Sequence, residues 1–153
     1  MFFAWVDKPE KLKENLLQIT NGSKPIWGRM DVQQMVEHLI LVLELSNGLK
    51  SSPILTPDKY IEKHQTFLMS DEPLPKNVVA KFIPENPVSH SNKNFKLAVN
   101  ELVSALHTYH SYWRGKEEHT LNHPIFGALN KKMWDQVHNK HITHHLLQFG
   151  LSN

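Results

Sequence analysis

Histidines set inside apolar helical faces constrain this chain more than any other feature. The stretch Lys140-His141-Ile142-Thr143-His144-His145-Leu146-Leu147-Gln148-Phe149-Gly150 reads as the end of a helix. Asn130 is its expected N-cap and Gly150 its expected C′ residue. At ~100° per residue, with His141 at zero, Trp134 falls at about +20°, His145 at about +40° and His138 at about +60°. Phe149 follows at about +80° and Ile142 at about +100°. His141 and His145 therefore belong to the buried face, one turn apart. Neutral imidazoles at i and i+4 can grip one metal ion. They can equally be core residues satisfied by hydrogen bonds. The pattern is not HExxH, because Ile142 stands where the zincin glutamate would be.

A second helix repeats the feature. Asp31, with Gln34 three residues on, forms a capping-box signature and opens a helix running to about Asn47-Gly48. Met35, His38, Val42, Leu45 and Leu49 fall within about −20° to +60° of His38. An imidazole in such a stripe is costly to bury unless its nitrogens find partners. A metal shared between the two helices would satisfy both groups, and so would a hydrogen-bond network.

Other segments frame these two. Asp7 and Glu10 suggest a capping box for a short helix through Leu12, Leu16, Leu17 and Ile19, ended by Asn21-Gly22. Thr56-Pro57-Asp58 reads as a cap with Pro at N1, before an amphipathic helix containing Tyr60, Ile61, His64, Phe67 and Leu68. Lys50 to Asn94 holds most of the nine prolines. Its Glu72-Pro73-Leu74-Pro75 and Phe82-Ile83-Pro84-Glu85-Asn86-Pro87 stretches read as extended loop. This long Pro-rich loop is expected to lie over one end of the bundle and wall its pocket, with His64 and Tyr60 the first residues to consider. Ser91 to Trp113 is the clearest helix, with His107 and His110 read as surface residues. His123-Pro124-Ile125-Phe126-Gly127 reads as a compact turn into the last helix. No strand signal appears at period two. The expected fold is all-α, a four-helix bundle with an extra short N-terminal helix, in one domain over residues 1–153.

Composition bounds the function. The chain has 153 residues, no cysteine and a net charge of +2. Disulfides, thiolate ligands and a cysteine nucleophile are excluded. The charge is too small to argue for nucleic acid. The apolar start Met1-Phe2-Phe3-Ala4-Trp5-Val6 lacks the basic residues and length of a signal peptide, so a soluble cytoplasmic protein without membrane association is expected. The outlier is histidine: six of the 11 lie between His119 and His145.

The series Trp27-Gly28-x-Met30, Gln34-Met35-x-x-His38-Leu39, His123-Pro124-x-Phe126-Gly127-x-Leu129, Trp134 and Lys140-His141-x-x-His144-His145-Leu146-x-Gln148-Phe149-Gly150 carries a resemblance. It resembles the DinB-like (YfiT-like) superfamily of metal-dependent hydrolases, in the branch known only as a domain of unknown function. The match runs from about Trp27 to Gly150, nearly the whole chain. The resemblance implies a DinB-like four-helix bundle and a divalent metal held by His38, His141 and His145. His144 matches a frequent histidine of that motif which is not a ligand, and Gln148 also matches. Leu146-Leu147 stands where many members carry Arg-Gly, so no substrate contact is carried over from that turn.

The leading expectation is a small metalloenzyme, a hydrolase or a thiol S-transferase, with open positions on zinc, nickel, iron or manganese. Its substrate is a small molecule, and a low-molecular-weight thiol would come from substrate or cofactor. His144, Gln148 and Gln34 are the expected residues behind the ligands. No general base is named, since Glu37 points about 100° away from His38. A homodimer is implied by the resemblance alone. The alternatives are a non-catalytic metal-binding or stress-response bundle, and a plain helical dimer whose histidines are hydrogen-bonded core residues.

Overall fold

A computed structural model of the chain describes residues 1–20, 22–78 and 88–151. The expected loop Phe82–Pro87 and the expected helix stop at Asn21 lie outside these residues. The structure is mostly helical, with one small antiparallel sheet. A 3-10 turn, Trp5–Asp7, leads into α1 (Pro9–Leu17). Then come α2 (Val32–Glu44), α3 (Asp58–Met69) and α4 (Phe95–Trp113). A hairpin of β1 (Leu121–His123) and β2 (Gly127–Leu129) precedes α5 (Lys131–Gln148). No helix among the described residues is long and apolar enough to cross a membrane.

Several helix ends follow from the sequence. Asp31 caps α2 in a full capping box: its carboxylate accepts from Gln34 N, and Gln34 Oε1 accepts from Asp31 N, both at 2.8 Å. Asn130 caps α5 by accepting from Met133 N at 3.0 Å. Gly150 sits at φ +78° and closes α5 in a Schellman pattern, with Gly150 N donating to Leu147 O and Leu151 N to Leu146 O.

Other expectations are corrected. Residues 121–129 form a hairpin, not a plain turn: Leu121 pairs with Leu129 and His123 with Gly127. Strands of three residues are too short to show a period of two. Asp7 caps nothing, because it belongs to the 3-10 turn and Lys8 occupies the N-cap of α1 without a side-chain bond. Pro57 occupies the N-cap of α3, and Thr56 N bonds Pro124 O instead. The fourth helix begins at Phe95, where Asn94 caps it, and not at Ser91. Leu49 is 67% exposed, since the chain turns at Gly48 before reaching it.

The core gathers Leu12 and Leu16 of α1, Met35, Val36 and Leu43 of α2, Ala98, Leu102 and Leu106 of α4, and Trp134, Ile142 and Leu146 of α5. Each large aliphatic side chain buried there contributes roughly 1.5–3 kcal/mol. Helix α5 is buried on nearly every side, and its polar residues are partnered. Thr143 Oγ1 accepts from Trp5 Nε1 at 3.0 Å, and Asn139 Oδ1 from Val6 N at 3.1 Å. Lys140 Nζ donates at 2.8 Å to Phe67 O in the last turn of α3, and at 2.7 Å to Glu72 O just beyond it. That position suits a cation, because the carbonyls of a helix end carry partial negative charge.

Candidate metal centre

Helix α2 presents His38 toward α5, and α5 presents His141 and His145 from successive turns. Nε2 of His38 lies 2.8 Å from Nε2 of His141, and Nε2 of His145 lies 2.9 Å from the same atom. The three rings stand edge to face, with centroids 4.6 to 5.0 Å apart. One ligand atom from each lies within 4.8 Å of the other two. His145 is buried, and His38 and His141 are half-buried.

Burial holds these imidazoles neutral, the state a metal requires. It pushes His38 down to about 4, with His144 adding to the effect. His141 is held well below the ordinary histidine value by burial, then by His145 and His38. His145 is likewise well below it through burial and His38, against an opposing hydrogen bond from Gln148. Nitrogens sharing a tetrahedral ion at ~2.0–2.1 Å stand about 3.3 Å apart. A bound ion therefore needs only a small outward shift of these rings.

Gln148 backs the cluster. Its Oε1 lies 2.7 Å from His145 Nδ1, and its Nε2 donates to Trp27 O at 2.7 Å. His144 faces away from the centre, with its ring edge-on to Trp27 at 5.5 Å. Burial lowers its pKa, a hydrogen bond with the Leu74 backbone raises it, and Lys76 lowers it. The Gln34 amide is engaged in the α2 capping box and in a 2.7 Å bond to Val88 O. His138 shares the angular sector of His141 but joins another network. Its Nε2 lies 2.7 Å from Ser46 Oγ, and its ring stacks on Trp134. Burial pushes it down to about 3.

The Pro-rich region meets residues neighbouring the cluster on two sides. Lys76 lies 4.2 Å over the Trp27 ring beside His144. On the α2 side, Glu37 accepts from Ser91 N, Asn92 N, Asn92 Nδ2 and Gln33 Nε2 at 2.8 to 3.2 Å. Burial raises the Glu37 pKa, but these bonds outweigh it and the net shift is downward. His64 and Tyr60 are placed elsewhere: His64 faces Phe126 of the hairpin, and Tyr60 is 46% exposed. His107 is exposed, whereas His110 is half-buried and donates to Val6 O at 2.6 Å. The sequence reading missed the roles of Trp27 and Gly28 around Gln148. Only the presence of a glycine in the turn hinted at a close approach there.

Fold and site together define a mostly helical protein with a partly buried three-histidine cluster that could hold a metal ion. The chain belongs to the family described as Protein of unknown function (DUF1569), whose family model matches residues 10–151. No curated protein and no solved structure matches the chain.

Proposed function

We propose that this chain is a small metalloenzyme of the DinB-like kind, with α2 to α5 as its four-helix bundle in one domain. His38, His141 and His145 hold a divalent ion, zinc or nickel foremost. The carrying observation is the convergence of three Nε2 atoms on one point. An imidazole Nε2 offers either one proton or one lone pair in the ring plane. His141 Nε2 can therefore serve only one of its two neighbours, at 2.8 and 2.9 Å, by an ordinary hydrogen bond. A cation serves all three lone pairs.

When bound, such an ion supplies Lewis acidity and lowers the pKa of a group attached to it. The protein contributes neutral ligands and a Gln148 that braces His145. The half-burial of His38 and His141 suits access by a small molecule. The reaction class is hydrolysis or transfer to a low-molecular-weight thiol. The chain has no cysteine, so the thiol arrives with the substrate or cofactor. Homodimerisation and a cytoplasmic location belong to the same reading.

One observation favours the alternative of a non-catalytic metal protein. The cluster contains no carboxylate, and neighbouring Glu37 is engaged in four hydrogen bonds. The test has two stages. Elemental analysis of untagged protein should give about one divalent ion per chain, and its absence after supplementation with zinc, nickel, iron and manganese would remove both metal readings. Turnover of thiol-reactive electrophiles or hydrolysable esters by the loaded protein then separates enzyme from binder.

A further inference from the structure

We infer that the turn Ile26–Gly28 is the positioning element of the histidine centre, acting through Gln148 to set the proton position on His145. The proposal rests on the metal reading for its purpose, but its geometry stands without the ion. Trp27 O is a carbonyl and can only accept. The Gln148 atom 2.7 Å from it is therefore the amide NH2. That orientation turns Oε1 toward His145 Nδ1, also at 2.7 Å. A carbonyl oxygen cannot donate, so Nδ1 carries the proton. A neutral imidazole has one such proton, which leaves the His145 Nε2 lone pair facing His141. Flipping the amide would set oxygen against the Trp27 carbonyl.

The turn holds Gln148 at two points. Besides the side-chain bond to Trp27 O, Ile26 N donates to the Gln148 main-chain oxygen at 2.7 Å. Gly28 makes the approach possible. A Cβ built there would lie 2.6 Å from Gln148 Nε2, and its φ of +80° is unfavourable for other residues. Gln148 is 3% exposed, so no solvent competes for its amide. A turn 121 residues away in sequence from Gln148 thus readies one member of the cluster before any ion arrives.

The experiment uses the full chain, metal-free and labelled with 15N-histidine. Long-range 15N–1H correlations near neutral pH should show His145 with Nδ1 protonated and Nε2 bare. Gly28→Ala and Gln148→Leu should each shift His145 toward the other tautomer or a mixture. In zinc competition titrations, Gly28→Ala and Gln148→Leu should bind about 10- to 100-fold more weakly. If Gly28→Ala does not fold, Gln148→Leu decides. A wild-type His145 protonated at Nε2 would overturn the inference. So would Gly28→Ala or Gln148→Leu with tautomer and affinity unchanged. A wild-type chain that binds no zinc overturns the metal reading alone, and the tautomer measurement still judges the turn.

Discussion

At the scale of single residues, the histidines divide by what their nitrogens face. His38, His141 and His145 face one another, while His138 faces Ser46. Replacing any of the first three with Ala is expected to strip most of the metal. His144→Ala should retain it, because that ring lies against Trp27 and outside the cluster. Elemental analysis across the four variants checks this, and metal loss in His144→Ala with retention in His38→Ala would reverse the assignment. His138→Ala should keep metal yet lose stability. It leaves a cavity beside Trp134 and removes a partner from Ser46, at a cost of about 2–4 kcal/mol. Urea denaturation of the metal-free variant measures that loss. Helical angle alone placed His138 beside the pair, and it could not tell the two environments apart. The angle describes position around one helix. The neighbour at each height along the axis belongs to another part of the chain.

At the scale of elements, α5 is the centre of the structure. It was legible because the cap residue Asn130 and the glycine stop Gly150 mark its ends. Its buried polar residues were less legible, since Asn139, Lys140 and Thr143 find partners in the N-terminal turn and α3. The cap of α2 was visible in Asp31 and Gln34 because a capping box is local. Asp31→Ala should destabilise the protein by about 1 kcal/mol in chemical denaturation. The clasp between Glu37 and residues 91 and 92 was not visible, as its partners are 54 and 55 residues apart. Glu37→Ala removes the acceptor of the Ser91 and Asn92 amides. Hydrogen exchange at those two amides should then accelerate roughly 10- to 100-fold, as expected for losing bonds to a charged group. Unchanged exchange would mean that the clasp does not hold this segment to α2.

At the scale of the whole molecule, the proposed ion joins α2 to α5 and binds only the folded chain. A metal present at about 100 times its Kd adds roughly 2.7 kcal/mol of stability. Chelation should therefore lower Tm by several degrees, and an unchanged melting curve after verified metal removal would exclude the bridge. Acid has a predictable direction as well. Burial pushes His123 and His138 down to about 3. An unfolded histidine titrates near 6.5, so the unfolded chain binds more protons between these values. Stability is then full above about pH 6.5 and falls as pH drops toward 3, by up to about 1.4 kcal/mol per pH unit for each group. Urea midpoints of metal-free protein between pH 7.5 and 5 test the sign. His138→Ala should flatten the slope, and a level wild-type profile would contradict the buried neutral state.

The sequence by itself determined where the principal helices lie, which faces are apolar and that histidines stand within them. It also determined the caps at Asp31 and Asn130 and the stop at Gly150. These are properties of neighbouring residues and follow from helical periodicity and local hydrogen bonding. Tertiary structure alone decided that the His38 ring meets His141, that His138 turns to Ser46, and that Gln148 is braced by Trp27. Each depends on how far one helix slides and rotates against another. That is settled by packing between segments distant in sequence, which no local pattern encodes.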